Sequence, residues 1–126
     1  MGQQTRIVLI DDDKDACDLL RMQLEDTGRM NVTYSTNGAE AVAIITQELP
    51  DIAILDINMP GTHGVEIGSM LASDTSTSAI PILYLSGMVT PEEAEEMARG
   101  ENSPSLISKG SPIEELIGAI DDLTAS

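Results

Sequence analysis

The chain has 126 residues, enough for one domain with a sizeable core. Its formal charge of −16, from 22 Asp and Glu against six Lys and Arg, argues against binding nucleic acid or an anionic membrane. One Cys rules out an intrachain disulfide and fits a reducing cytoplasm, and no apolar run approaches the roughly 20 residues of a membrane span. Aromatic residues make up only 2% of the chain, so Ile, Leu, Val, Ala and Met must fill the interior.

Taken in order, Ile7 to Ile10 is a short apolar run that ends directly on Asp11, Asp12 and Asp13. Such a run, bounded by polar residues, predicts a strand buried on both faces of a parallel sheet. Ala16, Cys17, Leu20 and Leu24 recur at helical spacing, with Gly28 as the stop. Asn31 to Ser35 predicts a shorter second strand, and Asn37-Gly38 a turn. Val42, Ile45 and Leu49 give the next helix its apolar face, and Pro50 closes it.

The stretch DIAILDINMPGTHG, Asp51 to Gly64, organises the rest. Its apolar run Ile52 to Leu55 ends on a single carboxylate, Asp56, and a turn with Asn58, Pro60, Gly61 and Gly64 follows. Ending a buried strand on a charge is costly unless a partner such as a metal compensates. A helix from Val65 to Ala72 comes next, with Val65, Gly68, Leu71 and Ala72 expected inward, and then a polar loop from Ser73 to Ser78. Pro81 to Leu85 predicts the fourth strand, which ends at Ser86-Gly87. Thr90-Pro91-Glu92-Glu93 has the form of a capping box for a helix reaching Gly100. After a loop with Pro104, Ser105 to Ser108 predicts a fifth strand that ends at Lys109-Gly110. Ser111-Pro112-Ile113-Glu114 repeats the capping signature for a last helix to Leu123.

Five β/α alternations with short right-handed crossovers predict an α/β, doubly wound fold with one five-stranded parallel sheet. The domain spans residues 1–126, with a core from about 6 to 123 and no visible output domain. The strand ends carry Asp11, Asp12, Asp56, Ser86 and Lys109, and in a parallel sheet these lie along one edge. Carboxylates beside a backbone carbonyl form a hard-oxygen site suited to Mg²⁺, while a Lys and a hydroxyl would meet phosphoryl oxygens. An Asp can itself be the nucleophile. The pattern therefore points to metal-assisted phosphoryl transfer onto a carboxylate. Each residue also has a duller reading: Asp11 to Asp13 as helix caps, Ser86 as a turn residue, Lys109 as a solvated loop residue. The overall acidity, likewise, reads either as a solvated surface or as carboxylates gathered around a cation. Joint placement is the argument. His63 reads as a surface residue without a ligand partner, Cys17 as core, and Met22, Met70 and Met97 as packing.

The stretches IVLIDDD, DIAILDINMPGTHGVE, PILYLSG and SLISKGSP occur in the order and at the separations of response regulator receiver domains, which the chain resembles from about Arg6 to Leu123. That resemblance implies a flavodoxin-like fold with strand order 2-1-3-4-5 and the chemistry of two-component or phosphorelay signalling. By it, Asp56 is the phosphoacceptor and Asp12 the direct Mg²⁺ ligand. Asp11 acts through water, Asn58 gives its backbone carbonyl to the metal, Ser86 and Lys109 contact the phosphoryl group, and Asp13 caps a helix. The implied donor is a sensor histidine kinase or histidine phosphotransfer protein. The implied readout is a shift of the fourth helix, fifth strand and fifth helix towards an output domain or downstream protein.

Three positions depart from the family pattern. Leu106 stands where an aromatic switch residue is usual, Gly87 where a small Ala is common, and Gly110 where Pro follows the lysine. They imply retained phosphorylation with weak or rerouted coupling. Asn58 and Met88 occupy positions that tune phosphoryl lifetime in the family. A monomer or weak dimer is expected, because Glu92, Glu93, Glu95, Glu96 and Glu101 crowd the face through which receivers often pair.

Two other classes compete with this reading. A phosphorylation-independent receiver-like binding domain is kept open by Leu106. An aspartate-nucleophile phosphatase of the haloacid dehalogenase type would use Asp11 and Asp13, but Lys14-Asp15 stands where that family has a hydroxyl residue.

Overall fold

The computed structural model describes residues 4–59, 62–97 and 105–125. Strands β1 (Thr5–Ile10), β2 (Met30–Ser35), β3 (Ile52–Asp56), β6 (Ile82–Ser86) and β7 (Ser105–Ser108) form one sheet in the order β2-β1-β3-β6-β7. All four neighbouring pairs run parallel, which is the expected doubly wound order. The helices are α1 (Lys14–Glu25), α2 (Ala41–Glu48), α3 (Gly64–Ser73), α4 (Pro91–Met97) and α5 (Ile113–Thr124).

Side chains alternate across the central strands, so the sheet divides the interior into two cores. Ile7, Leu9, Ile52 and Ile54 face one way and pack with Cys17 and Leu24 of α1 and Leu116 and Ile120 of α5. Val8, Ile10, Ala53 and Leu55 face the other, against Ala41 and Ile45 of α2 and Ile67 and Leu71 of α3. Each buried Ile or Leu contributes about 1.5–3 kcal/mol, which is how so aromatic-poor a chain sustains the fold.

Both helix starts flanking the site edge were legible locally. Asp13 is the N-cap of α1, its Oδ1 accepting from the N–H groups of Asp15 and Ala16 at 3.0 and 3.2 Å. The Thr90 box is closed in both directions, Thr90 N–H to Glu93 Oε1 at 2.9 Å and Glu93 N–H to Thr90 Oγ1 at 3.1 Å.

Several expectations fail for tertiary reasons. In α3 the buried stripe is Gly64, Ile67, Gly68 and Leu71, so Val65 and Ala72, one residue off that stripe, point outward. Leu49 lies outside the helix face. It is the left-handed cap of α2, at φ 44°, and is half exposed because the chain must reverse there into Pro50 and β3. Arg6 holds that reversal, donating to the carbonyls of Glu48 and Leu49 at 2.7 and 3.4 Å.

The second capping signature does not form. Pro112 is the N-cap of α5 and has no side-chain acceptor, while Ser111 N–H is drawn back to the Ser108 carbonyl at 3.0 Å. Met22 and Met70 are exposed at 63% and 58%, on the outer faces of α1 and α3, so they do not pack the core.

The turn after Asp56 holds an unforeseen antiparallel hairpin, β4 (Asn58–Met59) with β5 (Thr62–His63). Thr77, expected in a polar loop, is buried and donates its hydroxyl to the Leu71 carbonyl at 2.6 Å. The expected turn residues Pro60 and Gly61, the side chains of His63 and Met97, and the expected helix end at Gly100 lie outside the described residues. Among the described residues no helix is long and apolar enough to cross a membrane.

Candidate functional site

Sheet register gathers the polar groups. Ile10 pairs with Leu55, Asp56 with Leu85, and Ser86 with Ser108, so the residues that end β1, β3, β6 and β7 share one edge. Asp11 is fully buried there, Asp56 and Ser86 nearly so, and Asp12 is open to solvent.

Lys109 enters from the end of β7. Its Nζ lies 2.7 Å from Asp11 Oδ2 and 3.2 Å from Asp56 Oδ2, one ammonium against two carboxylates. The other oxygens are held by backbone: Asp13 N–H donates to Asp11 Oδ1 at 3.0 Å, and Asn58 N–H to Asp56 Oδ1 at 3.1 Å. Ser86 Oγ accepts from Asn58 Nδ2 at 3.3 Å and from Met88 N–H at 3.1 Å. The Ser86 carbonyl accepts Lys109 N–H at 2.8 Å, tying the two strand ends together.

Burial pushes the Asp56 carboxyl up; the Asn58 N–H opposes this, the Asp11 charge adds to it, and Lys109 offsets part of it. Burial alone would lower the Lys109 ammonium, but Asp11 and Asp56 outweigh it and hold it above its ordinary range. These groups favour a cation at the edge of the sheet.

One carboxylate oxygen from each of Asp11, Asp12 and Asp56 lies within 4.8 Å of the others. With all three ionised, their three negative charges against the Lys109 positive charge leave a formal −2, matched by a divalent ion. The donors are hard oxygens, and exposed Asp12 leaves room for water, so the acidic triad is able to hold a metal ion.

Every strand-end residue singled out from sequence therefore meets its neighbours here. Asn58 and Met88 flank the mouth, Met88 largely exposed. Gly87 lies beside Lys109: a Cβ on it would stand 3.5 Å from Lys109 Cδ. Leu106 is buried in β7, in register with Tyr84, and lines the sheet interior away from the strand ends. Gly110 follows Lys109 in a turn, and no cis peptide bond occurs among the described residues.

Two contributors were missed. Ser108 is buried and bonded on both sides, and the Cys17 thiol donates to the Asp11 carbonyl at 3.3 Å. A polar residue two places after buried Leu106 on the same strand face was the available signal for Ser108.

Burial, reinforced by the Asp11 charge, pushes the Cys17 thiol up to about 12. Because the thiolate is the reactive form, Cys17 is expected to resist a disulfide reagent at neutral pH in the folded protein. Modification should proceed at the rate of global unfolding, and fast labelling without denaturant would contradict this burial.

The model of the response regulator receiver domain matches residues 7–121. The chain belongs to the response regulator receiver family. A 14.6 kDa protein from the sodA1 3′ region of Leptolyngbya boryana is 31% identical over 111 residues, covering 88% of this chain and 84% of that one. Protein PilH of Pseudomonas aeruginosa is 38% identical over 80 residues, 64% of this receiver and 65% of PilH. Among solved structures, the Francisella response regulator 1452 receiver domain superposes with a TM-score of 0.78 at 25% identity, covering 96% of this chain and 97% of that one. This is thus a receiver domain of two-component signalling, with an acidic triad consistent with a phosphoacceptor site.

Proposed function

We propose that this receiver accepts a phosphoryl group on Asp56 from a phosphohistidine of a partner kinase or phosphotransfer protein, with Mg²⁺ held by Asp11, Asp12, Asp56 and the Asn58 carbonyl. The observation that carries the reading is the convergence of Lys109 Nζ on Asp56 within a triad of carboxylates. In the transfer an Asp56 oxygen forms the new P–O bond, the P–N bond to imidazole breaks, and the imidazole leaves with its electron pair. Bound Mg²⁺ would supply charge neutralisation to the phosphoryl oxygens.

The protein's own residues prepare that step. The Asn58 N–H and Lys109 favour the ionised, nucleophilic form of Asp56 against the cost of its burial. Ser86 Oγ already accepts two N–H bonds, which leaves its own proton to donate to a phosphoryl oxygen. Lys109 can follow the charge from carboxylate to phosphoryl group over a short distance. Asp13 speaks against the phosphatase alternative, since the carboxylate that would serve as acid and base is engaged in capping α1.

Intact mass after incubation with a small phosphodonor and Mg²⁺ tests the proposal. Wild type should gain one phosphoryl group, and Asp56→Asn or removal of the metal should abolish the gain. A phosphorylated Asp56→Asn protein would place the acceptor elsewhere and overturn the assignment.

A further inference from the structure

The receiver reading accounts for Asp11, Asp12, Asp56, Ser86 and Lys109 but leaves a buried hydroxyl between the last two without a role. Ser108 ends β7 and is 3% exposed. Its Oγ donates to the Val89 carbonyl at 2.7 Å and accepts from Gly110 N–H at 3.0 Å. A single hydroxyl therefore joins two loops, the one after Ser86 and the one after Lys109.

The bonds on either side give this position its leverage. Lys109 is fixed on one flank by its N–H to the Ser86 carbonyl and on the other by Gly110 N–H to Ser108 Oγ. In the loop after β6, Met88 N–H is held by Ser86 Oγ and the Val89 carbonyl by Ser108 Oγ. Thr90, next in the chain, caps α4. A path of adjacent hydrogen bonds thus runs from Asp56 through Lys109 and Ser86 to the start of α4. Leu106, the other inward residue of β7 on this face, is apolar and offers no polar link to that loop.

We propose that Ser108 is a positioning residue that couples Lys109 to the Met88–Thr90 loop, so that a change of charge at Asp56 reaches α4 through the Ser108–Val89 hydrogen bond. The proposal rests on the receiver reading and deepens it by assigning the route of readout in a chain without an aromatic at 106. When the Ser86 hydroxyl donates its free proton to a phosphoryl oxygen and Lys109 shifts with that oxygen, Ser86 Oγ moves and carries with it the Met88 N–H that it accepts. Ser108, anchored to both loops, converts these displacements into one movement of Val89. Without the hydroxyl, the site can still change, but the loop and α4 relax independently of it.

Backbone NMR on the full chain, with and without beryllofluoride and Mg²⁺ as a phosphoryl mimic, tests this. In wild type the Val89 carbonyl carbon and the Thr90 to Glu93 amides should shift on addition of the mimic, and Gly110 amide exchange should change with them. In Ser108→Ala the shift population at these positions should fall roughly fivefold, the equilibrium effect of one hydrogen bond. Ser108→Thr, which keeps the hydroxyl, should restore it.

Equal responses in wild type and Ser108→Ala would overturn the coupling. Should Ser108→Ala fail to fold, wild type alone decides: a Val89 carbonyl and a Gly110 amide that stay unmoved while Asp56 and Lys109 resonances shift would also overturn it. Absence of any response at Asp56 or Lys109 would overturn the receiver reading itself, and the coupling with it.

Discussion

Lys109→Met is expected to bind Mg²⁺ more tightly than wild type while taking up phosphoryl groups far more slowly. The opposing signs follow from the position of Nζ, 2.7 and 3.2 Å from carboxylates of Asp11 and Asp56. In the metal-free protein the ammonium already satisfies part of the charge that a divalent ion would satisfy. Its removal makes the triad more negative, and a unit charge a few ångströms away in a partly solvated site changes affinity by roughly tenfold or more. The same removal deprives the transferring phosphoryl group of a cation, so uptake should fall by about two to three orders of magnitude, the scale of losing one preorganised donor.

Stability supplies an independent readout. Asp11 is fully buried, and stripping the cation from a buried ion pair costs about 3–5 kcal/mol. Because the Lys109 side chain is 28% exposed, solvent softens that figure towards about 1–3 kcal/mol. Added Mg²⁺ should recover most of the loss. Asp11 and Asp56 hold the ammonium above its ordinary 10.5, so its contribution is full below that pH and disappears as pH rises through the folded value. Titration calorimetry with Mg²⁺ and urea unfolding with and without metal check both parts; weaker metal binding in the variant would contradict the geometry.

The second large effect is expected from Gly64→Ala. A Cβ on Gly64 would overlap the Asp56 carbonyl oxygen and stand 3.0 Å from its carbonyl carbon and 3.1 Å from Ile57 Cα. All of these are backbone atoms, so no side chain can swing aside. The contact arises because the β4–β5 hairpin folds the start of α3 back on the end of β3, with Gly64 N–H donating to the Ile57 carbonyl at 3.3 Å. Relief requires moving either α3 or the residue that carries the nucleophile. We expect a loss of about 3 kcal/mol, at the upper end for overpacking.

Phosphoryl uptake by the folded fraction of Gly64→Ala should also fall, since small misplacement of a reacting group costs rate steeply. Unfolding in urea gives the first quantity, and intact mass against time gives the second. A variant as stable and as reactive as wild type would mean that this close approach is unimportant. Gly68 is a milder case: a Cβ there would overlap only the Tyr84 hydroxyl, the far end of a side chain that can turn.

What the sequence by itself determined is local. The continuous apolar runs of β1 and β3, the Asp13 cap and the Thr90 box each draw on residues within a few positions, so a short stretch of sequence expresses each of them directly. The five alternating units then left little freedom in topology, so the strand-end residues were legible as one edge before any distance was known. What only the tertiary structure decided are pairings across long separations. Examples are Lys109 on both Asp11 and Asp56, Asn58 on Ser86, Ser108 on Val89, and Gly64 against Asp56. It also decided which side of α3 faces inward, and that Leu49, Met22 and Met70 stay outside. An apolar residue or a hydroxyl carries no label for the partner it will meet. The partner is chosen by strand register and helix phase, and these are set by burying two whole cores at once.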